Sequence, residues 1–272
     1  TVANAGKINP RQLNITMKNV EKTYNRSADN PDATVTKIEA NEGQSFMSAV
    51  LSSDGVTAGT LTTKYQNRLN ADPTMSTYGK RNGTKFTSDF NASAAPDGHA
   101  VRYTKMDEVF KGAFGAAAGN YTVDATVYGT GTIKRKAIDG TAFNISGAPA
   151  TKVYDGTDKF TLEDGTYLVA KTAASATTPN TGVVDVDKDN IYFTMTGNEG
   201  HFLKGDTGTD RTSHVSEAHY VAYDVVARTS DPTNNPLSNY TFGSAAEEAA
   251  GTLRNLETVT DANPSHVTAQ GT

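Results

Sequence analysis

Cysteine is absent from all 272 residues, and so is tryptophan. The first absence excludes disulfide frameworks, zinc–thiolate sites and thiol catalysis. The two together exclude the Cys–Trp–Cys core of antibody-type domains. Positive charge is also short: 25 Lys and Arg face 30 Asp and Glu, a net charge of −5. That balance carries no basic footprint for nucleic acid or an anionic membrane. No apolar run approaches the roughly 18 residues needed to cross a bilayer, so membrane insertion is not expected. The opening TVANAGKINP lacks the basic start and apolar core of a signal peptide. Because the chain begins without Met, it reads as a fragment or processed product of something longer.

Thr, Ser, Asn, Asp and Gly fill the space left by a hydrophobic fraction of only 36%. Such a composition favours strands and turns over helices. Period-two alternation supports this. Leu13, Ile15 and Met17 share one face of 11–18, and Ile191, Phe193 and Met195 one face of 190–196. Tyr121, Val123, Ala125 and Val127 alternate likewise, and 219–226 is rich in β-branched and aromatic residues. Segments 34–40 and 59–65 read as weaker strands. Asp-Gly and Asn-Gly turns separate them. The best helical candidate is 243–251, with at most one turn expected.

The chain repeats itself. Gly-x-Ile/Leu occurs at Gly6, Gly131 and Gly251, at intervals of 125 and 120 residues. Asn120-Tyr121-Thr122 aligns with Asn239-Tyr240-Thr241, segment 99–109 with 218–226, and Lys22-Thr23-Tyr24 with Lys152-Val153-Tyr154. With the turn-rich spacer before each Asn-Tyr-Thr, five landmarks in the same order point to tandem duplication. The expected organisation is the end of a preceding repeat over 1–8 and a first unit over 9–134. A second unit covers 135–256, and a following repeat or tail begins over 257–272. The expected fold is all-β, two tandem immunoglobulin-like antiparallel β-sandwiches.

The second repeat carries a family likeness. Lys152-Val153-Tyr154-Asp155-Gly156-Thr157, followed by Asn239-Tyr240-Thr241 and Gly251-Thr252-Leu253, resembles the YDG-type repeat domain. That domain recurs in very large bacterial surface proteins such as filamentous-haemagglutinin-like adhesins. The first repeat departs from the pattern, with Tyr24-Asn25-Arg26 in place of Tyr-Asp-Gly, and both units are longer than is usual. The resemblance implies an extracellular module on the bacterial cell surface, a stalk or spacer that holds an adhesive region away from the cell. Its partners would be neighbouring repeats of the parent chain, and the module itself a monomer. The alternative is a module that binds a host-cell or matrix glycan or protein through insert loops at 66–98, with Tyr65, Tyr78 and Tyr103 as aromatic contacts.

Three further constellations were candidates for chemistry. Asp185, Asp187 and Asp189 alternate and could converge on calcium, a hard cation that takes six to eight oxygens; no other cofactor is expected. Lys18 with Asn120, and Lys152 with Asn239, stand where intramolecular isopeptide bonds form in some bacterial surface sandwiches. The five histidines are not spaced as metal pairs. No nucleophile-elbow Gly-x-Ser-x-Gly and no phosphate-binding loop is present, so the chain is not expected to be an enzyme.

Overall fold

The computed structural model describes residues 6–18, 20–29, 32–40, 49–139, 143–146, 151–161, 167–170, 182–196, 199–205, 210–243 and 250–270. Its elements run β1 (Arg11–Met17), β2 (Val20–Thr23), β3 (Val35–Ala40), α1 (Ala58–Ala71), β4 (Ser76–Asn82), β5 (Lys85–Ser88) and β6 (His99–Tyr103). Then come α2 (Met106–Phe114), β7 (Tyr121–Val123), β8 (Val127–Lys134), β9 (Lys136–Asp139), β10 (Phe143–Ser146), β11 (Lys159–Thr161) and β12 (Tyr167–Ala170). The remainder is β13 (Ile191–Met195), β14 (Glu199–Leu203), β15 (Tyr220–Thr229), β16 (Tyr240–Gly243), β17 (Arg254–Asn255) and β18 (Ser265–Gln270). The protein is mostly β-strand, in mixed and antiparallel sheets, and no described helix is long and apolar enough to cross a membrane.

Two compact units divide the chain. Unit 1 comprises the residues up to Lys22 with Ser27–Ile133, and unit 2 comprises Thr23–Arg26 with the residues from Lys134 onward. Unit 1 contains a three-stranded sheet ordered β3-β1-β7 and a five-stranded sheet ordered β2-β8-β6-β4-β5. Alternation in β1 works as read: Leu13, Ile15 and Met17 are buried while Asn14 and Thr16 are exposed. Its core also takes Tyr65, Tyr78, Tyr103 and Phe110, each at most 2% exposed.

Unit 2 contains a three-stranded sheet ordered β17-β16-β9 and a larger sheet ordered β11-β14-β15-β13-β12-β10-β18. Strand β15 pairs with β13, β14 and β18. With neighbours on both sides and both faces, it buries Val221, Ala222, Tyr223, Val225 and Val226 in a nearly continuous run.

Two parallel pairings recur at a matching spacing in the two units. Strand β1 runs parallel to β7 with Arg11 opposite Tyr121, and β9 runs parallel to β16 with Lys136 opposite Tyr240. Arg11 and Lys136 are separated by the same 125 residues (11 to 136) that separate the first two Gly-x-Ile motifs. In both units a 3-10 turn ends on the Asn that precedes this Tyr, at Asn120 and at Asn239.

Several expectations do not survive. Segment 59–65 is the first half of helix α1, because Leu61, Tyr65 and Leu69 recur at four-residue spacing on one buried face. The Thr57 side chain caps that helix by accepting from the Thr60 N–H at 3.1 Å. Helix α2 stands outside the expected all-strand pattern; Met106, Val109 and Phe110 form its buried stripe. All-β is therefore too narrow, and the parallel pairs β1·β7 and β9·β16 depart from a purely antiparallel scheme. Ser265–Gln270, assigned to the start of a following repeat, pairs antiparallel with β15 of unit 2 from Tyr220·Gln270 to Val225·Ser265. The third Gly-x-Leu lies in a turn, with Gly251 at φ +69°. The expected helix at 243–251 lies mostly outside the described residues.

Candidate functional site

Each unit builds the same small socket from two short stretches. In unit 1 a 3-10 turn over Ser52–Asp54 follows an extended Leu51. The Leu51 N–H donates to the Tyr121 hydroxyl at 3.0 Å, and that hydroxyl donates to Asp54 Oδ2 at 2.7 Å. In unit 2 a 3-10 turn over Asp185–Asp187 follows an extended Val184. The Val184 N–H donates to the Tyr240 hydroxyl at 3.1 Å, and that hydroxyl donates to Asp187 Oδ2 at 2.8 Å. In both cases the tyrosine is that of Asn-Tyr-Thr, and the acid follows the extended residue by three positions.

The unit 2 socket is occupied. Tyr24 and Arg26, more than 160 residues away in sequence, both reach Asp187: the Tyr24 hydroxyl donates to Oδ2 at 2.8 Å and Arg26 Nη1 to Oδ1 at 2.7 Å. The Tyr24 ring stands edge-on to Tyr240, with centroids 5.4 Å apart. The Tyr24 N–H donates to Lys134 O at 2.8 Å. Asp187, Tyr24 and Tyr240 are fully buried. Burial pushes both phenols above the ordinary tyrosine range, so they stay protonated as donors. A buried carboxylate is tolerated only when such donors surround it.

The segment that fills the socket has a distinct local geometry, and it too occurs twice. Lys22 Nζ donates to the carbonyls of Ser27 and Asp29, five and seven residues on. Lys152 Nζ donates to the carbonyls of Thr157 and Lys159, again five and seven residues on. The residue at the fourth place after each lysine is left-handed: Arg26 at φ +64° and Gly156 at φ +80°. The two Lys-x-Tyr segments are thus the same finger: a lysine clamps a loop and presents a tyrosine. Their surroundings differ. Tyr24 is buried, whereas Tyr154 is 64% exposed beside Val153 at 88%.

Other residues singled out from sequence are placed differently from their expected roles. Asp185, Asp187 and Asp189 do not converge: Asp187 turns inward to Tyr24, Tyr240 and Arg26, Asp185 pairs with Lys188, and no metal-holding group of three acids or histidines exists among the described residues. Of these three acids only Asp187 is buried, and its oxygens are engaged by two phenols and a guanidinium. Tyr65, Tyr78 and Tyr103 are fully buried and cannot present a binding face. The region 66–98 is no loop insert, since it supplies part of α1 and strands β4 and β5.

The isopeptide pairs are not assembled. The Asn120 amide donates to Asp54 Oδ2 at 3.3 Å, Lys18 is exposed, and the Lys152 ammonium is taken by Asp155, Thr157 and Lys159. Asn239 is buried at 1% exposure at the end of its 3-10 turn.

One constellation escaped the sequence reading. Ser93 Oγ lies 2.8 Å from His99 Nδ1, and His99 Nε2 lies 3.6 Å from Asp89. Burial pushes the His99 imidazole down, towards the neutral form. The same Ser93 hydroxyl accepts from the Ile133 N–H at 2.9 Å, and the Ser93 N–H donates to Ile133 O. The serine is held by backbone on both sides, so this trio fastens the loop after β5 to β8. Compared with family models, curated proteins and solved structures, the chain matches none of them.

Proposed function

We propose that this chain is a structural spacer, two tandem mainly-β repeat modules of an extracellular bacterial surface adhesin of YDG type. In this reading the modules hold an adhesive region away from the cell. The finer architecture proposed for each unit is a two-sheet sandwich, immunoglobulin-like in its layering and modified by a parallel pair. One observation carries the reading: the same tyrosine–aspartate socket recurs at equivalent register in both units. Duplication of a buried fastening, with the sequence around it free to diverge, is what repeated mechanical modules require. The Lys-Val-Tyr-Asp-Gly-Thr stretch at 152–157 supports the family assignment. The net charge of −5 suits a surface that must remain apart from anionic envelopes.

Single-molecule stretching tests this. A chain tethered at both ends should give two discrete rupture peaks. Each should lengthen the chain by about 40 nm, as expected for roughly 120 residues at about 3.5 Å each. Smooth extension without peaks would dismiss a load-bearing role.

A further inference from the structure

The unit 1 socket has the donors and acceptors of the unit 2 socket, but among the described residues no finger fills it. A groove of about 530 Å³ opens there, lined by Ile8, Asn9, Pro10, Arg11, Leu51 and Tyr121 among others. Ile8 is 98% exposed and Leu51 39%, so two large apolar side chains line the groove open to solvent. The 125-residue register makes Asn9 the counterpart of Lys134, whose carbonyl receives the Tyr24 N–H in unit 2. Asp54 and Tyr121 are the counterparts of Asp187 and Tyr240. Unit 2, for its part, carries a finger of matching geometry whose tyrosine is exposed, Tyr154.

We infer that the groove of unit 1 is a docking site for the Lys152–Gly156 finger of a second copy of this chain. Tyr154 of the incoming copy enters beside Tyr121 and donates its hydroxyl to Asp54. Its N–H donates to the Asn9 carbonyl, and Val153 covers Ile8 or Leu51. Finger and socket lie on different units, so the contact is heterologous, one surface of each copy meeting a different surface of the other. The chain expected to be a monomer is then a monomer only when dilute. The inference builds on the tandem-module reading but is tested separately from it. A chain that ruptures in two peaks yet never associates loses the docking site and keeps the spacer role.

The unit 2 finger lacks one element of its counterpart, since Gly156 stands where Arg26 bonds Asp187. A Cβ built on Gly156 meets nothing within 4 Å, so Gly156→Arg can be accommodated locally. A charge-assisted hydrogen bond restored at this position should tighten association about tenfold.

The test is sedimentation velocity on the whole chain over a concentration series. Wild type should shift to faster species as concentration rises, and Gly156→Arg should do so at about tenfold lower concentration. Tyr154→Ala and Asp54→Ala should each stay monomeric alone, while their mixture should stop at a one-to-one pair, one bearing the intact socket and the other the intact finger. Tyr154 is exposed, so its replacement leaves the fold intact. Circular dichroism of each variant confirms folding. Association that persists in Tyr154→Ala, or its absence from both wild type and Gly156→Arg up to millimolar concentration, overturns the inference.

Discussion

At the scale of single residues, Asp187 determines how unit 2 is held together. Its carboxylate has lost all contact with water and depends on three donors, Tyr24, Tyr240 and Arg26. Tyr24→Phe keeps the ring against Tyr240 and removes one hydroxyl. Denaturant titration should show a loss of about 1–3 kcal/mol, the cost of leaving a buried acceptor short of a partner. Asp187→Ala should cost more, on the order of 3–5 kcal/mol, because two buried phenols and a guanidinium lose their acceptor. If both variants melt with wild type, the cluster is not structural.

Lys22 offers a pH test at the same scale. Burial lowers its ammonium from 10.5 to about 8, despite the opposing pull of Asp29. A folded pKa below the unfolded one means that the unfolded chain binds the extra proton between these values. The penalty is therefore full below about pH 8 and fades as pH rises towards 10.5. Wild type should gain stability relative to Lys22→Met on going from pH 7.5 to 10, and parallel curves for the two proteins would refute this assignment.

Among the elements, β8 shows how closely the backbone is packed in unit 1. A Cβ on Gly131 would stand 2.7 Å from the Tyr78 ring, 2.8 Å from Val20 O and 2.9 Å from Val101 Cγ2. One of these is backbone of the neighbouring strand and another a fully buried ring, so neither can yield cheaply. Gly131→Ala should destabilise unit 1 by about 1–3 kcal/mol in thermal or chemical unfolding, while Gly119→Ala, where a Cβ meets open space, provides the control. This glycine was visible in sequence as part of Gly-x-Ile, and the structure supplies its reason: close approach of strands. The helices were much less legible. Thr60, Thr62 and Thr63 give 59–65 a β-rich look, and only the longer spacing Leu61–Tyr65–Leu69 betrays α1. In α2 the helical stripe follows directly on the strand pattern of β6, so 99–109 read as one continuous landmark. Strand β18 escaped because Ser265–Gln270 is polar by composition and gains its place by pairing with β15 and β10.

Across the whole molecule, the likeness between the two halves was the most readable property because it rests on residues that recur in sequence: the lysine that clamps a loop, the tyrosine after asparagine, the glycine two places before isoleucine. What those residues do was not readable. Alternation of Asp185, Asp187 and Asp189 suggested an ion, since sequence does not reveal that only the last acid of the 3-10 turn faces inward. The equivalence of Asp54 and Asp187 was hidden as well, because Ser52-Ser53-Asp54 and Asp185-Val186-Asp187 share little besides the terminal acid. Likewise Tyr65, Tyr78 and Tyr103 lie near turn-rich stretches, which suggested exposure, while their strands and helix turn them into the core. The interplay of local sequence and distant partners is clearest in the fingers, which share one internal geometry and differ in what surrounds the tyrosine.

The distance along the chain between Tyr24 and Asp187 has a bearing on biosynthesis. During translation the tyrosine leaves the ribosome long before its acid is made, since more than 160 residues separate them. An excised piece starting at Lys134 would strand Asp187 with Tyr240 as its sole phenol. Anyone dissecting this chain for separate expression should carry Thr23–Arg26 along, or supply those residues as a peptide and watch the truncated piece recover its cooperative melting.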